Sequence, residues 1–198
     1  MVTTRNLHRD TRTQLLLAAE RSFARKGYAA VGINEVLSSA GVPKGSFYHY
    51  FASKDAFGEA VLARYFEQYL AEMDEILNAA GRDGASKILA YFASWRESQS
   101  LGDCAGKCLA VKLGAEVADM SEPMRLALKA GTTGIVDRLE HAIVGAVADG
   151  SAPFTGDARA TADALYQLWL GASVMAKVNR SPAALDTATT VTRRLLGI

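Results

Sequence analysis

The scarcity of proline is what most constrains the fold of this chain. Only four of its 198 residues are proline, at positions 43, 123, 153 and 182. Proline breaks a helix because its ring removes an amide donor and clashes with the preceding turn. The long intervals between these prolines are rich in alanine, which loses no side-chain entropy in a helix. We therefore predict an all-α fold.

Apolar residues at helical spacing divide the N-terminal part into three short helices. Asp10 or Thr11 is expected to cap the first helix, and Gly27 to end it as a left-handed stop. Gly41 is expected to form the turn between the second and third helices. The predicted second and third helices cover residues 33–40 and 44–50. A helix, a glycine turn and a helix within about 20 residues are typical of a helix-turn-helix.

The rest of the chain predicts longer helices. Ser53 is expected to cap the first of them and Asp157 to cap a later one. Apolar repeats predict helices over about residues 54–79, 83–98, 105–118 and 122–149, one that begins near residue 157, and a last one that ends at residue 196.

Charge is distributed unevenly along the sequence. Residues 1–55 carry a net charge of +4, and the remaining 143 residues carry −3, within an overall charge of +1. A small basic region attached to a mildly acidic one is typical of a nucleic-acid-binding protein with a second function. Charge alone does not distinguish this arrangement from a chance fluctuation.

In a helix-turn-helix, the second of the two helices lies in the major groove. The groups expected to face DNA are those of Lys44, Gly45, Ser46, Tyr48, His49, Tyr50 and Lys54. Cations and hydroxyls suit phosphate oxygens, and Gly45 lets a backbone amide approach the DNA. Phe47 and Phe51 should be buried, and one of the two tyrosines is expected to pack rather than to read DNA.

The segment VPKGSFYHYF at residues 42–51, followed by Ser53 and Lys54, resembles the DNA-binding signature of the TetR family of repressors. The resemblance covers the whole chain. It implies a three-helix DNA-binding domain at residues 1–52 and a sensing and dimerisation domain of about six helices at residues 53–198. It also implies ligand-controlled release from double-stranded operator DNA. Gly32 replaces the family's Thr or Ser, so we assign it no contact and take Asn34 as a candidate instead.

The resemblance implies a homodimer formed through the last two helices. Small and apolar residues on these helices could form a four-helix seam with a second copy. They are Ala164, Leu168, Ala172, Leu185, Ala188 and Leu195. The alternative, that this stripe packs inside its own subunit, remains open.

The two cysteines, Cys104 and Cys108, lie four residues apart, which is near the upper limit for a disulfide within one helix. We therefore expect free thiols and a reducing cytoplasm. The segments 107–122 and 168–181 resemble the NemR branch of the family, the repressors of N-ethylmaleimide reductase. That branch implies that Cys108 senses electrophiles or oxidants, with Lys177 as its neighbour. Lys107 departs from the glycine expected before the cysteine.

One rival interpretation keeps the repressor but makes its inducer a reversibly bound small molecule, with Cys108 structural. The residues that could line such a pocket are Tyr91, Trp95, Tyr166, Trp169 and Met175, although aromatic residues at helical spacing more often form plain core. Cys104, Cys108 and His141 lack the spacing of zinc ligands, and no base partners a catalytic thiol. We expect no enzyme activity, no metal, no cofactor and no membrane segment.

Overall fold

A computed structural model describes residues 4–100 and 109–198, the side chains of residues 4–10 and 100 excepted. The described residues form α-helices joined by short turns and include no strand, as the sequence predicts. The helices are α1 (Thr4–Lys26), α2 (Ile33–Ala40), α3 (Lys44–Tyr50), α4 (Lys54–Leu77), α5 (Gly84–Ser100), α6 (Leu109–Ala118), α7 (Glu122–Ala148), α8 (Ala158–Asn179) and α9 (Ala183–Leu196).

Most helix ends agree with the sequence, but the start of α1 does not. Helix α1 begins at Thr4, so Asp10 and Thr11 lie inside the helix instead of capping it. A capping residue does not start a helix when the preceding residues can also be helical, and none of residues 4–9 is glycine or proline. The predicted N-terminal end of α6, from residue 105, lies outside the described residues.

The predicted caps Ser53 and Asp157 and the glycine stops Gly27 and Gly41 are confirmed. Gly27 and Gly41 have φ values of 86° and 65°, in the left-handed region that glycine adopts without strain. The hydroxyl of Ser53 accepts from the amide of Ala56 at 3.0 Å. The carboxylate of Asp157 accepts from the amide of Ala160 at 2.9 Å. Local turn chemistry therefore sets the ends of α1 and α2 and the starts of α4 and α8.

The described residues form two compact units. The first contains residues up to 67 and residues 109–130, and it includes α1, α2, α3, α6 and the first parts of α4 and α7. Helix α6 packs against α1, and Leu109, Leu113 and Val117 form its buried side. This grouping places α6 with the N-terminal helices. The predicted boundary between residues 52 and 53 divides the chain by function and stays a prediction.

The second unit contains residues 68–100 and 131–198, with α5, α8, α9 and the remaining parts of α4 and α7. Its core is aromatic. Phe92 stacks on Trp169 with ring centroids 4.7 Å apart. The indole nitrogens of Trp95 and Trp169 each donate at 2.9 Å, the first to Ser173 and the second to Thr192. These internal hydrogen bonds satisfy both indoles inside the apolar core.

No helix within the described ranges is long and apolar enough to cross a membrane. The same residues include no cluster of three or more His, Cys, Asp or Glu side chains that could hold a metal ion.

Two glycine-to-alanine substitutions test the packing of the second unit. A Cβ at Gly84 would lie 2.5 Å from the Cα of Ala146, and that backbone cannot easily move away. We expect Gly84→Ala to reduce the free energy of unfolding by about 2 kcal/mol. Gly145→Ala is the control, because an added Cβ there meets nothing within 4 Å. It should raise the free energy of unfolding by about 0.5–1 kcal/mol. Urea unfolding followed by circular dichroism measures both, and equal effects would contradict the close approach.

Candidate nucleic-acid interface

A glycine turn fixes the direction in which α3 leaves α2. Gly41 ends α2 in the left-handed conformation, and the amide of Val42 donates to the carbonyl of Leu37 at 3.0 Å. This bond satisfies one of the carbonyls that every helix leaves open at its C-terminus. Pro43 then adopts an extended conformation, and α3 begins at the next residue. The turn needs glycine because its φ of 65° strains any other common residue.

The inner side of α3 is held by an aromatic cluster. Phe47 is fully buried, and its ring centroid lies 5.1 Å from that of Phe57 and 5.5 Å from that of Phe51. The guanidinium of Arg12 lies over the Phe51 ring, 5.4 Å from its centroid. The predicted burial of Phe47 and Phe51 is confirmed. Edge-to-face aromatic pairs contribute about 0.5–1.5 kcal/mol each beyond the burial of their area.

The residues predicted to contact DNA lie mainly on the exposed side of this turn and helix. Five of them are exposed: Asn34, Lys44, Gly45, Tyr48 and His49. Tyr48 is 59% exposed, although its ring lies 5.3 Å from that of Phe47, so most of this side chain is open to solvent. Ser46 and Tyr50 are half-buried. The exposed side therefore offers one cation, one phenol and one imidazole.

The ammonium group of Lys54 has partners inside the protein. Its Nζ donates to the carbonyl oxygen of Tyr28 at 2.9 Å and lies 4.3 Å from the centroid of the Tyr28 ring. The Tyr28 hydroxyl donates to the carboxylate of Asp55 at 2.6 Å. Burial raises the pKa of Tyr28 well above its ordinary value, and Asp55 raises it further. Lys54 thus anchors α4 to the turn between α1 and α2, and its contact with phosphate stays a prediction.

Comparison with known proteins bears on the whole chain. Residues 15–61 match the family described as "Bacterial regulatory proteins, tetR family", and residues 84–192 match "Tetracyclin repressor-like, C-terminal domain". The chain belongs to the TetR family. It is a helix-turn-helix transcription regulator, and members of this family are DNA-binding proteins rather than enzymes.

Two of the similar TetR-family proteins cover most of the chain. The chain is 39% identical to the HTH-type transcriptional repressor NemR of Escherichia coli strain K12, over 90% of each chain. It is 29% identical to the transcriptional regulator AcuR of Cereibacter sphaeroides, over 88% of this chain and 80% of AcuR. The crystal structure of reduced E. coli NemR superposes with a TM-score of 0.90 at 38% identity, covering 94% of this chain and 97% of that one. The predicted resemblance to the TetR family and to NemR is confirmed.

The residues of the predicted dimer stripe differ in burial. Ala172, Leu185 and Ala188 are buried within the second unit, so they belong to the core of their own subunit, and their part in a dimer stays a prediction. Ala164 and Leu195 are exposed, and Leu168 is half-buried. A stripe of small and apolar residues has the same sequence pattern whether it packs inside its own subunit or against a second copy. The repeat therefore did not distinguish these two possibilities. The remaining large apolar side chains exposed on α8 are Val174, Met175 and Val178.

Of the two residues predicted to sense electrophiles, only Lys177 can be placed. Cys108, like Cys104, lies outside the described residues. Lys177 is half-buried in the last turn of α8, and its ammonium makes no ion pair with any described residue.

Four of the five residues suggested for a ligand pocket are buried in the aromatic core of the second unit: Tyr91, Trp95, Tyr166 and Trp169. Met175 is 46% exposed and lies at the surface. Sequence analysis did not identify Gln99, which is only 9% exposed and whose amide nitrogen and oxygen both lack a hydrogen-bond partner among the described residues. A glutamine at the end of a helix is normally exposed, so no sequence signal could have identified the burial of Gln99.

Lys44 provides the test of the interface. We expect Lys44→Ala to weaken binding to specific and nonspecific DNA alike and to reduce the slope of log K against log salt by about one. Fluorescence anisotropy across a salt series measures both, on an operator selected from a random-sequence pool with the wild-type protein. The control is Arg82→Ala, which removes an exposed cation outside the N-terminal helices. An unchanged salt slope in Lys44→Ala would place this residue outside the DNA contact.

Proposed function

We propose that this chain is a repressor that binds operator DNA as a homodimer and leaves it when a reactive electrophile or oxidant modifies Cys108. One observation carries the proposal: the likeness to NemR extends over 90% of the sequence, so it includes the residues that follow the helix-turn-helix. The solved E. coli NemR structure is described as a reduced form, so redox state distinguishes forms of that protein.

The local chemistry of Cys108 supports a reactive thiol. The thiolate is the reacting species, and nearby cations increase its fraction. Lys107 directly precedes the cysteine in sequence, and Lys112 is an exposed cation on α6, four residues later. Lys177 enters the proposal through the resemblance, as a cation whose ammonium no described acid neutralises.

Two reactions would modify this thiolate. With an activated alkene, sulfur forms a bond to the β-carbon, the π electrons move to the α-carbon, and that carbon takes a proton from water. With a peroxide, sulfur attacks one oxygen and the O–O bond breaks. The cysteine is then oxidised to a sulfenic acid, and the departing oxygen is reduced to water or an alcohol. Each product differs in size and polarity from a thiolate, so each can favour a different arrangement of the protein.

A thiol-reactive probe tests the proposal. We expect N-ethylmaleimide to lower the affinity of the wild-type protein for its selected operator by about tenfold or more, a coupling within the usual range for allosteric regulators. Cys108→Ser should bind the same DNA and not respond. Cys104→Ser is the matched control and should respond like the wild type. Tight binding that the reagent leaves unchanged in all three proteins would contradict covalent sensing and leave the DNA-binding role intact.

A second candidate is a repressor induced by a reversibly bound small molecule, and Gln99 favours it. A buried amide that makes no hydrogen bond destabilises the protein, because it has lost its contacts with water. Trp95 lies one turn earlier on the same face of α5, and its own nitrogen is already bonded to Ser173. A small neutral ligand with a carbonyl or amide group would supply the partner that Gln99 lacks.

The unpaired amide has a measurable consequence for stability. We expect Gln99→Met, a substitution of similar size and apolar character, to raise the free energy of unfolding of the ligand-free protein by about 1 kcal/mol. Gln167→Met changes an exposed glutamine in the same way and should have little effect. Thermal and urea unfolding measure both. Destabilisation by Gln99→Met would mean that the amide is paired in solution, which removes the support for a ligand there.

A further inference from the structure

The turn between α1 and α2 is held by a carboxylate from α6. The Glu116 side chain accepts one hydrogen bond from the amide of Tyr28 at 3.2 Å and another from the amide of Ala29 at 2.7 Å. These contacts join residues 88 and 87 positions apart in sequence. Bonds from amides to an ionised carboxylate are stronger than bonds between neutral groups.

The turn is shaped to admit this carboxylate. Gly27 has a φ of 86°, and the two amides that follow it both donate to Glu116. Successive amides after a left-handed residue form a concave site for an anion. A Cβ on Gly27 would lie 2.7 Å from Oε2 of Glu116. Position 27 therefore requires glycine for two reasons: its backbone conformation, and the space that the Glu116 carboxylate occupies.

Tyr28 connects this carboxylate to the start of α4. Its amide donates to Glu116, its carbonyl accepts from Lys54, and its hydroxyl donates to Asp55. Helices α4 and α6 therefore hold the same turn from two sides. Helix α2 begins four residues after Ala29, so the position of this turn sets where α2 and the following α3 can lie.

We propose that Glu116 is a positioning residue for DNA binding. Its two hydrogen bonds to the α1–α2 turn hold the helix-turn-helix in one orientation relative to α6. A movement of α6 then moves the turn or breaks both bonds. Leu109, the first residue of α6, directly follows Cys108 in sequence. This link to release, but not the positioning role itself, rests on the proposed function.

The sign of the effect on DNA affinity distinguishes positioning from simple electrostatics. Replacing Glu116 with Gln removes a negative charge, which by itself would strengthen binding to DNA. We expect the opposite, a loss of about tenfold in affinity at fixed salt. Each backbone amide donates to a different oxygen of Glu116, and glutamine replaces one of these oxygens with an NH2 group, which is a donor and cannot accept. Asp119→Asn is the control, since Asp119 is an exposed acid on the turn after α6 and makes no hydrogen bond or ion pair with any described residue. Its substitution should leave the affinity unchanged or slightly higher.

The experiment uses the full chain and the selected operator, with three measurements on wild type, Glu116→Gln and Asp119→Asn. Anisotropy gives the affinity, and thermal unfolding should place the melting temperatures within about 3 °C of each other. Hydrogen exchange should become faster in Glu116→Gln at the amides of Tyr28 and Ala29, with the amides inside α1 and α2 unchanged. An affinity for Glu116→Gln equal to or above that of the wild type would overturn the proposal. So would an affinity loss fully accounted for by the unfolded fraction.

A fourth measurement addresses release. N-ethylmaleimide should change the affinity of Glu116→Gln by a smaller factor than that of the wild type, because the connection to α6 is already weakened. Equal factors would overturn the link between α6 and release. If the wild type itself does not respond, the proposed covalent sensing fails, and the affinity and exchange results still decide the role of Glu116.

Discussion

The burial of Phe47 is the constraint on which the DNA-binding part of this protein depends. Helix α3 has only seven residues, too few to be stable alone, and it is held by one fully buried ring among other aromatic rings. Because Phe47 points inward, the side chains on the other face of α3 point outward. The burial of Phe47 therefore also determines which side chains of α3 are exposed to solvent.

Much of the fold was predictable because it depends on local signals. The limits of α2 follow from its apolar positions and from Gly41, and the start of α8 follows from the capping carboxylate of Asp157. Helix α1 shows where such signals fail, since a capping residue does not prevent the helix from beginning earlier. The exposed residues of α3 were predictable for a similar reason. On so short a helix, burying the phenylalanines determines which side chains remain outside.

The features that the sequence did not reveal depend on contacts between distant segments. Glu116 looks like any other acid on an amphipathic helix until the amides of Tyr28 and Ala29 are placed beside it. Gln99 looks like a surface residue until its burial is known. Ala172 was assigned to a dimer surface because an apolar stripe does not indicate which neighbour covers it. In each case the chemistry of the residue was evident and its surroundings were not.

The anchoring of the α1–α2 turn by Glu116 limits how this regulator can be divided. Repressors with new operator specificities are commonly imagined as chimeras, in which the DNA-reading domain of one protein is joined to the sensing domain of another. A junction after residue 52 would separate the amides of Tyr28 and Ala29 from the carboxylate that they bind. The host would have to provide an acid at the same place on its own α6, facing a glycine in the transplanted turn. The transferable module is therefore discontinuous, and it consists of the N-terminal helices together with α6.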